Sequence, residues 1–246
     1  MKNVLFTLTM MLAALCAAFA QTKSATPAPK TAAKAAPAAK AATKAASKSA
    51  GPNLMNPATL NAKAPEVYLV KLNTTKGPIV IRVTKSWAPI GADRFYNLVR
   101  AGFYNNQYIF RSTRQFAQFG IPAKPELSRI WMEKTMLDDR AIQSNKRGFV
   151  SFAATDAKNS RSVQVFISKV DNAYLDSYGF APFGEVIEGL ENLDMLYNGY
   201  AESVTPLQGE IMNQGNVFLE KNYPRLDKIT TAVIEPLPGD TKAKQP

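Results

Sequence analysis

The sequence predicts a mainly β fold, organised as one antiparallel barrel. From Glu66 onward, apolar residues recur in many short alternating runs, and only two or three segments repeat them at helical spacing. The length of 246 residues bounds the chain at one or two domains, and an apolar fraction of 46% is enough for a sizeable core.

Ile79, Ile81 and Val83 alternate with Val80, Arg82 and Thr84 after a similar run over 67–72, and Lys76-Gly77 between them supplies a turn, so the two runs read as a hairpin. A helix follows, with Pro89 in its first turn, Ala92, Phe95, Leu98 and Val99 on one face, and Gly102 just past its end. Further strands are expected at 108–113, 116–120, 148–153, 163–168 and 183–186, then an amphipathic helix over 190–197 and a last strand over 228–234. The spacing shows no internal repeat, no glycine-rich phosphate loop and no metal-ligand cluster.

Composition excludes several chemistries. The chain has no histidine, which removes Ser-His-Asp and Cys-His relays, a histidine general base and histidine-bearing zinc sites. Lys2 precedes an apolar run from Val4 to Phe19 that ends in Ala18-Phe19-Ala20, so residues 1–20 read as a cleavable secretory signal and the location as periplasmic. The run is too short for a membrane span and contains Thr7 and Thr9. The one cysteine, Cys16, falls within it, and a mature chain without cysteine is indifferent to an oxidising compartment.

Residues 21–50 hold 13 alanines and six lysines and no acidic or aromatic residue, a composition that builds no core. With those lysines and Lys2 set aside, 23 basic residues face 19 acidic ones in 51–246. The basic character therefore belongs to the tail, which reads as a solvated tether, with weak adhesion to an anionic envelope surface as the sharper alternative. A nucleic-acid partner is disfavoured, because the tail lacks the aromatics that would interleave with its charges. The folded part, 51–246, reads as one domain and as a monomer.

Several ordered stretches together resemble the cyclophilin family of peptidyl-prolyl cis-trans isomerases: Arg94-Phe95-Tyr96-Asn97-Leu98, Gly102-Phe103-Tyr104, Phe110-Arg111 and Gln118-Phe119-Gly120. Later stretches agree, among them Ser144-Asn145-Lys146-Arg147-Gly148, Ser151-Phe152-Ala153, Gln164-Val165-Phe166-Ile167, Leu175-Asp176 and Phe180-Ala181-Pro182-Phe183-Gly184. The resemblance spans 66 to about 235 and implies a closed eight-stranded antiparallel barrel capped by two helices. It implies prolyl isomerisation of unfolded or partly folded proline-containing polypeptides, a reaction that needs no cofactor, nucleophile or metal. By resemblance, Arg111 is catalytic, Phe116, Phe166 and Leu175 line the proline pocket, and Gln118 and Gln164 hydrogen-bond the peptide backbone. Ala153 flanks the groove. Tyr174 and Phe180 stand where many members carry tryptophan and histidine.

Two departures bear on activity. Arg111 is followed by Ser112-Thr113-Arg114 instead of two aliphatic residues and a proline, and Phe116-Ala117-Gln118 is one residue shorter than the family's Phe-x-x-Gln. A one-residue change reverses facing in a strand. Phe116 and Gln118 are therefore not expected both to point into the groove as in the family, and this supports the alternative of a groove that binds extended segments without catalysing.

Overall fold

The computed structural model describes residues 52–238; the signal expected at 1–20, the tether expected at 21–50 and Cys16 lie outside the described residues. The hairpin is present as β1, Val67–Thr74, and β2, Gly77–Thr84, antiparallel with Thr74 opposite Gly77. Gly77 adopts φ +118°, a conformation that costs glycine nothing. Ile79, Ile81 and Val83 are buried and Arg82 is exposed, as the alternation requires, but Val80 on the opposite face is buried too. Helix α1, Pro89–Arg100, packs Ala92, Phe95, Leu98 and Val99 into the same core. Its first turn is capped from a distance, since the Asp139 carboxylate accepts from the backbone N–H groups of Ile90 and Gly91 at 3.0 and 2.8 Å.

The remaining strands are β3, Gln107–Tyr108; β4, Arg111–Ser112; β5, Phe116–Phe119; β6, Phe149–Phe152; β7, Val165–Ser168; β8, Pro182–Glu188; and β9, Lys228–Glu235. They join the hairpin in one antiparallel sheet ordered β3-β9-β1-β2-β8-β6-β7-β5-β4. Nine strands stand where eight were expected among the described residues, because the segment expected over 108–113 is two pieces with different partners. β3 pairs with β9, and β4 pairs with β5. Between them, Ile109 enters the main core and Phe110 enters a second one, so the backbone turns a corner there. The two ends of the strand order thus belong to one segment, 107–112.

Five α-helices lie among the described residues, three more than the two expected. Besides α1 they are α2, Pro125–Trp131; α3, Leu190–Asp194; α4, Gln208–Gln214; and α5, Asn216–Asn222. The helix expected over 190–197 stops early, and the Tyr197 N–H is taken at 2.6 Å by the Asp227 carboxylate. Ile211 of α4 and Leu219 of α5 pack on Tyr108, Phe110, Ile121, Val204 and Leu226 in the second core. That core anchors the segment 198–208 beside β4, where it becomes part of the site.

Candidate active site

The antiparallel pairing of β4 with β5 puts Arg111 directly opposite Gln118, and that of β5 with β7 puts Gln118 opposite Phe166. Directly opposed residues share a sheet face, as do residues two apart on one strand. Ala117 and Phe119 accordingly enter the main core, whereas Phe116 and Gln118 face away from it together. The expectation that the shortened segment would keep Phe116 and Gln118 from facing the same way is not met, since both lie on the Arg111 side. Both residues lie in β5, which pairs with β7 without a register shift, and the turn before them is held by Thr113 Oγ1, which accepts from the N–H groups of Gln115 and Phe116 at 3.1 and 3.0 Å.

Phe116, Phe166 and Leu175 form an apolar cluster of their own, with exposures of 7, 5 and 8%, and half-buried Ala153 and Phe180 pack at its edge. The Phe166 ring meets those of Phe116 and Phe180 edge-on, at 5.4 and 5.6 Å between centroids. Tyr174 stands at the rim, 50% exposed. Burial raises its phenol pKa, and the positive charge of Arg111 opposes that rise. The structure therefore brings all nine expected residues, Arg111, Phe116, Gln118, Ala153, Gln164, Phe166, Tyr174, Leu175 and Phe180, into one neighbourhood.

Gly120 lets the end of β5 approach Gln164. It adopts φ +116°, and a Cβ there would lie 2.5 Å from the Gln164 Cα and 2.6 Å from the Val163 carbonyl oxygen. The Ala153 N–H donates to the Gln164 carbonyl at 2.9 Å from the other side.

A polar ring closes over this apolar floor. Arg111 donates from Nη1 to Gln118 Oε1 at 3.1 Å, Gln118 Nε2 to Gln164 Oε1 at 2.8 Å, and Gln164 Nε2 to Gln208 Oε1 at 2.8 Å. Gln208 Nε2 donates to the Thr205 carbonyl at 3.1 Å, and Thr205 Oγ1 to Glu202 Oε2 at 2.9 Å. Arg111 completes the ring with Nε on Glu202 Oε2 at 2.8 Å and Nη2 on Oε1 at 2.7 Å. Its guanidinium carbon lies 5.1 Å from the Phe116 ring centroid.

Glu202, Thr205 and Gln208 are site-lining residues that sequence reasoning missed. One signal for their segment was available, since Val204, Leu207 and Ile211 recur at intervals of three and four. Beyond Glu202 a groove of about 650 Å³ opens between the 113–115 turn, Val170, Asn198 and Ala201. No three His, Cys, Asp or Glu side chains come together as metal ligands among the described residues.

Three comparisons bear on this arrangement. The family model for the cyclophilin type peptidyl-prolyl cis-trans isomerase/CLD matches residues 69–216, a span that holds the cleft and the ring. Peptidyl-prolyl cis-trans isomerase A of Dickeya dadantii is 31% identical over 145 residues, covering 56% of this chain and 76% of the relative. Peptidyl-prolyl cis-trans isomerase B of Escherichia coli is 29% identical over 136 residues, 52% of this chain and 83% of the relative. A Cryptosporidium parvum cyclophilin type isomerase has the same fold, with a TM-score of 0.54 at 20% identity, over 70% of this chain and 99% of its own. The chain belongs to the cyclophilin-type peptidyl-prolyl cis-trans isomerases.

The Leu175 side of the cleft hangs on Asp176. Its carboxylate accepts from Ser144 Oγ at 2.5 Å and from Asn145 N and Nδ2 at 2.9 and 2.8 Å. Asn145 in turn donates to the Phe180 carbonyl at 3.0 Å and accepts from Ser151 Oγ at 2.9 Å, tying both rim segments to β6. Burial alone would raise the Asp176 pKa, but these hydrogen bonds prevail and hold it below its ordinary 3.8. A lowered folded-state pKa contributes stability above the ordinary value, and that contribution is lost as pH falls through the folded value. Asp176→Ala is therefore expected to destabilise the chain by about 1–3 kcal/mol in urea unfolding at pH 7, with the gap to the parent narrowing below about pH 4. A gap independent of pH would contradict this role.

Proposed function

We propose that this isomerase acts on X-Pro bonds of unfolded or partly folded polypeptides during the folding of exported proteins. The observation that carries the reading of the site is the placement of a guanidinium, held by Glu202 and Gln118, beside a separate apolar cluster of Phe116, Phe166 and Leu175. Amide resonance imposes a rotation barrier of about 18–20 kcal/mol, and twisting the bond removes that resonance. The prolyl nitrogen then becomes pyramidal and gains a lone pair that a planar amide does not offer. An N–H of Arg111 stabilises this lone pair only in the twisted state, so the contact lowers the barrier without tightening ground-state binding. Gln118 and Gln164 each retain hydrogen-bonding capacity beyond the ring, since a primary amide has two N–H groups and two acceptor lone pairs. That capacity suits them to hold the peptide backbone while the bond turns.

Export rests on the sequence of residues 1–20, with the Ala/Lys/Pro-rich stretch of 21–50 as a tether that adds at most weak contact with anionic envelope surfaces. A protease-coupled assay on an X-Pro peptide tests the site. Arg111→Ala is expected to lower kcat by on the order of 10², as for loss of one transition-state donor, while peptide affinity changes little. A variant of near-parental rate would remove Arg111 from the catalytic role, and a parent that binds the peptide without accelerating isomerisation would favour a binding-only groove. Mass spectrometry of the exported protein is expected to find a chain beginning at Gln21. Retention of Met1 would contradict the export reading.

A further inference from the structure

Arg111 is held on three sides before any peptide arrives. Glu202 takes the edge formed by Nε and Nη2, Gln118 takes one N–H of Nη1, and the face of the guanidinium lies over Phe116. Each terminal nitrogen keeps one N–H that the ring does not use. The segment bearing Glu202 is fixed as well. Ala201 forms a backbone bridge to Ser112, the residue after Arg111, and adopts φ +45°, a conformation that non-glycine residues rarely take. Thr205 Oγ1 holds the carboxylate from behind.

We infer that Glu202 is a positioning residue for the isomerisation, its carboxylate fixing the plane of the Arg111 guanidinium so that the unused N–H groups on Nη1 and Nη2 are aimed before the prolyl nitrogen pyramidalises. This rests on the isomerase reading of the site. A long arginine side chain left free would have to be ordered during the twist itself, and prior ordering removes that cost from the barrier. The edge that Glu202 occupies includes Nε, so pairing leaves both terminal nitrogens able to donate. The Glu202 side chain is 56% exposed, and its carboxylate acts on the reaction through Arg111. A carboxylate that instead withheld Arg111 from the peptide would slow the parent, and its removal would accelerate the reaction.

A double-mutant cycle in the full mature chain separates these roles, using Glu202→Gln, Arg111→Ala and the pair. Glutamine keeps the shape of the side chain but replaces one acceptor oxygen with an amide nitrogen that repels the Arg111 donors. In the parent background, Glu202→Gln is expected to lower kcat on the order of tenfold, with peptide Kd unchanged within about twofold. In the Arg111→Ala background it is expected to change kcat less than about twofold. Thr205→Val, which removes the support behind the carboxylate, is expected to give a smaller loss of the same kind. The Arg111 Nε–H resonance supplies a reading independent of turnover, slow to exchange in the parent and fast in Glu202→Gln.

Equal losses in both backgrounds, a rate unchanged or raised by Glu202→Gln, or an Nε–H equally protected in both proteins would each overturn the inference. A parent without isomerisation above background would overturn the functional reading and this inference with it. An active parent with an unaffected Glu202→Gln variant would overturn the inference alone.

Discussion

The register of β4 against β5 is the constraint on which the site depends. With Arg111 opposite Gln118 and Ser112 opposite Ala117, the guanidinium projects over Phe116 on the cleft side. A slip of one residue would turn Arg111 toward Ala117 and Phe119, which are buried in the main core, and would leave a charge with no partner in an apolar interior. That penalty fixes the register from the core side, so the same burial that stabilises the sheet also aims Arg111. β5 serves both purposes within four residues, since alternate side chains go to the core and to the cleft.

From that register the polar and apolar halves of the site separate. Phe116, Phe166 and Leu175 form a floor that is nearly buried yet does not merge with the barrel core, a surface suited to a proline ring. Around it, Arg111, Gln118, Gln164, Gln208, Thr205 and Glu202 satisfy one another in a closed ring of hydrogen bonds that fixes the donors relative to one another. Prolyl isomerisation breaks no covalent bond, and a preformed set of donors is the kind of catalyst it can use. A chain without histidine loses nothing for this reaction.

The parts of this arrangement that could be read from the sequence are those carried by local periodicity or by ordered fragments. The alternation over 79–84 and the apolar face of α1 locate the main core, and the fragments around Phe110-Arg111, Gln164-Phe166 and Leu175-Asp176 locate the cleft. The ring was not legible to the same degree. Glu202 meets Arg111 across 91 residues, from a segment held by a left-handed Ala201 that no local propensity favours. The split of 107–112 into two strands is likewise tertiary, because it reflects a change of partner from β9 to β5 rather than a break in the apolar pattern. The segment leading into α4 did leave a trace in the spacing of Val204, Leu207 and Ile211, but the packing of Val204 and Ile211 with Phe110 and Ile121 is what gives that trace a position. The shortened Phe116–Gln118 segment shows the same limit from the other side, since its facing follows from the pairing of β5 with β7, a tertiary contact that the fragment alone does not reveal.

The central claim is that proline binds on the Phe116, Phe166 and Leu175 floor and that its amide turns there beside Arg111. Exchange NMR on an X-Pro peptide, with substoichiometric protein carrying labelled Phe, Leu and Arg side chains, tests both halves at once. The account predicts accelerated cis–trans exchange cross-peaks on the peptide, together with contacts from the prolyl ring protons to Phe116, Phe166 and Leu175. Accelerated exchange with prolyl contacts elsewhere, or contacts at this floor with exchange no faster than in the free peptide, would contradict it.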